Sequence, residues 1–285
     1  MSLAVLLLAY GSPSSLEDVP AYLADIRGGR PVRQEAVDEL VERYRRIGLS
    51  LLDRITEAQR GALEQKLGIR CYVGMKHWRP WIADTIEQML DEGVTRIVAV
   101  VLAPHYSELS IGGYRDRVEA ALDGRGALDF VRSWHDWGPY VDVVTDRVRG
   151  TAAHVVFTAH SLPERILAAG DPYRDELMAT ARAVADRAGL ADWSLAFQSE
   201  SATGEPWLGP DIGVHLEELH AAGVREVLVA PIGFVSDHLE ILWDLDAVAE
   251  SKAAELGLRF ERIESMNDDP AFIDAVAELV RTRVG

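Results

Sequence analysis

Short runs rich in β-branched and other apolar residues recur along the whole chain, and between them the apolar positions return with a helical period. Four such runs fall in the first half, at 3–10, 69–77, 96–104 and 128–135. Four more fall in the second half, at 152–160, 193–200, 225–233 and 258–265. The stretches between them, such as PWIADTIEQMLDEG, YRDELMATARAVADRAG and DIGVHLEELHAAG, read as amphipathic helices. Strands alternating with helices in this way point to βαβ units and a parallel sheet, so the fold class is α/β.

The two halves share one plan. GVTRIVAVVLAPHYS (93–107) parallels GVREVLVAPIGFVSD (223–237): each has a glycine-ended helix, an apolar strand and a proline near the strand exit. Each half then closes alike, with GPYVDVVTDRV against PAFIDAVAELV. The expected organisation is two α/β lobes, 1–136 and 137–285, each with a four-stranded parallel sheet flanked by helices. A last helix at about 269–284 is expected to pack back on the first lobe. The longest departure from the rhythm is 11–67, with helices around 34–47 and 50–67, far longer than an ordinary βα connection. Open α/β sheets bind ligands at the carboxyl ends of their strands, and a long insertion there shapes a site.

Composition narrows the function. The chain has 285 residues, 48% hydrophobic and 26% charged, which is the profile of a globular protein and not a disordered one. A formal net charge of −17 argues against nucleic acid, whose phosphates need a basic footprint. The first apolar run, LAVLLLA, lacks a basic start and a cleavage site and is too short to span a bilayer. The expectation is a cytoplasmic monomer with no stable membrane insertion. The single cysteine, Cys71, forbids an internal disulfide and a four-cysteine cluster.

The strand exits collect the chemistry: Tyr10, Lys76 with His77, His105, His160, Gln198 with Glu200, and Asp237, His238 and Glu240. All of them project toward one rim, so a cleft between the lobes gathers them. AYGSPSS carries neither G-x-G-x-x-G nor a P-loop lysine, which disfavours a nucleotide enzyme. There is no H-E-x-x-H and no cysteine pair, which disfavours a structural zinc. A lone histidine at a strand end is often only a packing residue, and charged residues often line a solvated cleft edge. GFVSDHLEILWD resists that second reading, because an ionised carboxylate among Phe, Val, Leu and Trp is costly unless it is paired. If the helix has already begun at His238, then His238 and Glu240, two residues apart, point to different sides.

AYGSP, RYRRIG, ITEAQ, GMKHWRP, VLAPHYS, TAHSLPE, GDPY, FQSE, PWLGPD and PIGFVSDHLEILWD occur in an order and at spacings that resemble the ferrochelatase family over nearly the full length. The resemblance is closest to its short soluble bacterial type, which acts on coproporphyrin III. It implies two Rossmann-like lobes with a porphyrin cleft between them and insertion of Fe²⁺ into the ring, with both as substrates and no resident cofactor. It makes His160 the histidine that binds the incoming metal or accepts a pyrrole proton, and Glu240 its partner carboxylate. Tyr10 approaches the metal from the opposite face, Asp244 belongs to an outer metal position, and Lys76, Tyr114 and Trp207 line or support the cleft. The chemistry of the residues agrees: imidazole suits Fe²⁺ and takes protons near neutral pH, and a carboxylate beside it offers a hard ligand and a proton exit.

Protoporphyrin-using relatives carry an apolar lip after the first strand. Here that stretch is AYLADIRGGRPVRQE, with Arg27, Arg30 and Arg33. Coproporphyrin III has four propionates, and guanidinium binds carboxylate in a fork, so Arg27, at the family's arginine position, is expected to hold one. RYRRIGLSLL departs from the family's G-G-x-S-P, Val248 stands where many relatives have a glutamate, and no C-terminal cysteines exist to hold an iron–sulfur cluster. Three alternatives stay open: a protoporphyrin IX ferrochelatase, a chelatase for another metal or tetrapyrrole, and a porphyrin or haem carrier without catalysis.

Overall fold

In the computed structural model, residues 2–201 and 204–284 are described. The chain begins with β1 (Ser2–Ala9), then the insertion helices α1 (Val19–Ile26), α2 (Gln34–Ile47) and α3 (Leu52–Leu67). It continues through β2 (Cys71–Met75), α4 (Ile82–Asp91), β3 (Val94–Val101), α5 (Gly113–Leu122) and β4 (Ala127–Val131). After α6 (Gly138–Val148) come β5 (His154–His160), α7 (Arg165–Ala168), α8 (Tyr173–Ala188), β6 (Trp193–Gln198), α9 (Ile212–Ala221) and β7 (Glu226–Ala230). The chain closes with α10 (Leu239–Leu242), α11 (Glu250–Leu256), β8 (Arg259–Arg262) and α12 (Pro270–Val284). The eight expected strands are all present.

They form two four-stranded parallel sheets of the same order, β2-β1-β3-β4 and β6-β5-β7-β8. In each sheet the chain leaves the first strand to one side and returns on the other, so β1/β3 and β5/β7 are switch points with a crevice at their carboxyl ends. The repeat extends to detail. Met75 N–H donates to the Pro80 carbonyl at 2.7 Å, and Phe197 N–H to the Pro210 carbonyl at 2.8 Å. A π-helical segment follows the third strand of each lobe, at Glu108–Gly112 and Asp244–Ala249.

Alternation along β1 shows how the layers assemble. Ala4, Leu6 and Leu8 face α4 and α5, while Val5 and Leu7 enter a second core with β3, β5, α6, α8 and α12. That second core is common to both sheets. Burying each of these leucines contributes about 1.5–3 kcal/mol. Helix α12 lies against α3 and α6, with Lys66 paired to Asp274 and the Trp137 indole N–H donating to the Ala275 carbonyl at 2.9 Å. Helix α6, in the segment where the halves were expected to divide, belongs to this shared core. After residue 239 the helix is broken: α10 is one turn, and Val248 N–H reaches back five residues to the Trp243 carbonyl at 2.9 Å. This wider turn leaves Val248 on the surface, 51% exposed.

Candidate active site

The carboxyl ends of β1, β3, β5 and β7 open on one cleft of about 480 Å³. Tyr10, Lys76, Tyr114, His160 and Glu240 all line it. Two glycines let the strand exits close in. A β-carbon on Gly233 would sit 2.7 Å from the Ala159 β-carbon, so the β7 exit could not lie against β5 just before His160. Gly11 has φ +90, and a β-carbon there would meet the Trp78 nitrogen at 2.9 Å. Walls of Leu8, Leu102, Ile111, Leu162, Phe234 and Val235 make the cleft largely apolar.

Glu240 is the centre of the polar end. His160 Nε2 stands 3.6 Å from its Oε1, and His238 Nε2 stands 3.7 Å from its Oε2. His238 Nδ1 lies 2.9 Å from the Ser236 carbonyl, and His160 Nδ1 contacts the Ser161 carbonyl. A carbonyl only accepts, so in both rings Nδ1 carries a proton and Nε2 is the atom that faces Glu240. Burial works to neutralise Glu240, but the two imidazoles overcome it and hold the carboxyl well below its usual range. Burial likewise lowers His238, and the Glu240 carboxylate more than offsets this, so His238 is raised.

His238 would point away from Glu240 only if the helix had begun there. It is instead the extended residue before α10, with φ −157, so both side chains enter the same cavity. Tyr173, the last residue of GDPY but not among the expected site residues, also lines the cleft, and its hydroxyl donates to the His160 carbonyl at 3.0 Å. A strand-exit search could not have found it, because it opens α8.

Tyr10 faces this group from the first lobe. Burial raises its phenol far above the ordinary value, and the Glu240 charge across the cleft adds to the effect. Its ring lies 4.5 Å from that of His77, tilted by 51°, and His77 is bonded to Asp25 at 2.8 Å and is pushed down to about 4 chiefly by burial. Lys76 Nζ donates to the Ser110 carbonyl at 3.1 Å and lies 4.8 Å from the Tyr114 ring. Burial, helped by Arg117, lowers Lys76 to about 8, and among the described residues it has no ion-pair partner. His105 is buried and bonded to Thr180 at 2.9 Å.

Other expected residues stand at the edge. The Trp207 ring is 6.4 Å from that of His160 but is not on the cleft wall. Arg27 is exposed at the end of α1, next to the wall residue Ile26. Asp244, one turn beyond Glu240, accepts from Ser199 Oγ, and burial raises it to about 6. Asp237 faces away, bonded to Ser265 at 2.6 Å and Asn267 at 2.9 Å. Among the described residues no three His, Cys, Asp or Glu groups are arranged to hold a metal ion.

The ferrochelatase family model matches residues 2–284. The chain belongs to the ferrochelatase family. It is 43% identical to the ferrochelatase of Deinococcus radiodurans, over 99% of this chain and 96% of that protein. It is 41% identical to the coproporphyrin III ferrochelatase of Geobacillus thermodenitrificans, over 98% and 95%. Among solved structures it is similar to SirB from Bacillus subtilis with Fe³⁺, at TM-score 0.61 and 13% identity over 99% of this chain and 95% of that one. That likeness fixes the two-lobed chelatase fold alone. Membership makes the chain a metal chelatase, and the cleft between the switch points is its candidate active site. No helix of the described residues is long and apolar enough to cross a membrane.

Proposed function

We propose that this ferrochelatase inserts Fe²⁺ into coproporphyrin III, giving coproheme and two protons, as a cytoplasmic monomer without a resident cofactor. The observation that carries this reading is the Glu240 carboxylate set between two imidazole Nε2 atoms at the end of an apolar cleft. Insertion must strip water from the ion and remove two N–H protons from the ring. His160 Nε2 takes a pyrrole proton or the incoming ion, and Glu240 is the hard oxygen ligand and the proton's next station. Nδ1–H of each ring is held by a backbone carbonyl, so Nε2 is the atom that exchanges protons with the cleft. Tyr10 contacts the opposite face, and Asp244 receives the ion further out. A ring seated between apolar walls and bent would expose its nitrogen lone pairs and resemble the transition state.

The choice of porphyrin follows from unpaired cations. Lys76 in the wall and Arg27 at the lip carry no carboxylate partner among the described residues, and the four propionates of coproporphyrin III would supply them. Tyr114 lies against Lys76 in the wall, and Trp207 stands beside His160 off the wall. The test is Fe²⁺ insertion into coproporphyrin III against protoporphyrin IX, followed by absorbance. The expected result is a kcat/KM at least tenfold higher for coproporphyrin III. Preference for protoporphyrin IX overturns the substrate, and tight binding of both with no turnover makes the chain a carrier.

A further inference from the structure

Gln198 closes β6 beside His160, and the two are partners in the parallel register of β5 and β6. Its backbone carbonyl accepts the Ser161 N–H at 2.7 Å, and Ser161 is the residue whose own carbonyl takes the His160 Nδ1–H. The Gln198 side chain, 1% exposed, reaches the other way: Nε2 donates to the Glu240 backbone carbonyl at 2.5 Å. Ser199 follows with φ +63, a left-handed conformation that is strained for a residue with a β-carbon. In that conformation Ser199 Oγ donates to Asp244. Two consecutive residues therefore touch the backbone next to His160, the backbone of Glu240 and the carboxylate of Asp244.

The segment bearing Glu240 needs such a tie. Helix α10 is a single turn that passes straight into the π-helical segment, and one turn of helix has too few bonds to hold its own place. Gly233 lets the exit of β7 approach β5 but fixes nothing about where α10 then lies. The amide has one orientation available, because with its oxygen turned inward two acceptors would face each other. Gln198 Oε1 finds no protein partner, so the bond to Glu240 alone sets that orientation. Left-handed strain in Ser199, beside a buried amide bonded across elements, is the pattern of backbone held for a site and not for the fold.

We propose that Gln198 is a positioning residue for metal insertion, clamping the first turn of α10 to the end of β5 so that the Glu240 carboxylate meets the His160 imidazole. Ser199 extends the clamp to Asp244. This rests on the chelatase reading of the cleft given above. Gln198 lies outside the cleft wall and touches neither the ring nor the ion, so its removal acts on the rate of insertion and not on porphyrin affinity. Displacing one reacting group by about 1 Å costs on the order of 100-fold in rate.

The experiment compares the wild type with Gln198→Met, which fills the same volume without a donor, and Gln198→Glu, which keeps the shape but offers only acceptors when ionised. Iron insertion gives kcat and metal KM, fluorescence quenching gives the porphyrin Kd, and a thermal melt checks folding. Both variants are expected to lose at least tenfold in kcat, with porphyrin Kd within about twofold of the wild type. A folded Gln198→Met enzyme with wild-type kcat overturns the proposal, and so does a loss confined to porphyrin affinity. If Gln198→Met does not fold, the same two criteria are read on Gln198→Glu. Failure of the wild type to insert metal into either porphyrin refutes the functional reading instead, and so the two failures are distinct.

Discussion

Asp53 is a buried acid that the insertion chemistry does not use, and its replacement by asparagine is expected to stabilise the protein in a pH-dependent way. It lies in the first turn of α3, one residue after the cleft residue Leu52, and its Oδ1 has no hydrogen-bond partner. Burial raises it from 3.8 to about 6, and the Ser12 backbone N–H only partly opposes this. Above pH 6 the folded protein therefore holds an ionised carboxylate where the neutral form is preferred. The unfolded chain carries no such penalty. The difference of about two pKa units corresponds to about 3 kcal/mol at 1.36 kcal/mol per unit, and partial contact with solvent reduces it to about 1–2 kcal/mol. As pH falls from 6 toward 3.8 the folded state takes up its proton first, and the penalty fades. Asparagine is neutral throughout, so Asp53→Asn should gain about 1–2 kcal/mol at pH 7.5 and about half of that at pH 5. Urea denaturation at the two pH values measures the difference, and the melting temperature should rise by roughly 2–4 °C per kcal/mol at the higher pH. Equal effects at both pH values, or a loss at pH 7.5, would show that burial does not raise this carboxyl.

Three predictions concern the cleft. His160→Ala should lower iron insertion by at least 100-fold while leaving the porphyrin Kd within a few fold, as read by fluorescence quenching; retained turnover would remove its assigned role. Arg27→Ala should weaken coproporphyrin III by about three- to tenfold, the scale of one partly solvated charged hydrogen bond, and protoporphyrin IX by less. Equal effects on the two porphyrins would refute the propionate contact. Gly233→Ala forces a β-carbon to within 2.7 Å of Ala159, so the β7 exit must move away from β5. Insertion kcat should fall more than tenfold and the melting temperature should drop, whereas an enzyme with unchanged kcat would mean that this close approach does not set the spacing of His160 and Glu240.

The central strands were legible because a parallel strand buried on both faces must be apolar along its length, while the edge strand β8, RFER, shows only a partial apolar signal; all eight expected runs became strands. The exits were legible for the same reason: polar residues end an apolar run, so Tyr10, Lys76, His160 and Glu240 stood out and share one cleft. What pattern reading lost was backbone detail at the exits. The spacing left open whether the helix has begun at His238, and in the structure His238 is extended and the first helical residue comes after it. Nor does the sequence pattern show the π-helical segment Asp244–Ala249, which follows α10 and turns Val248 to solvent. Neither feature has a propensity signal. The spacing of the His160–Glu240 pair depends on Gly233 fitting over Ala159 and on a glutamine 42 residues before Glu240. Sequence patterns therefore locate the groups that do chemistry, while the distances that make them a pair come from residues whose own side chains never reach the cleft.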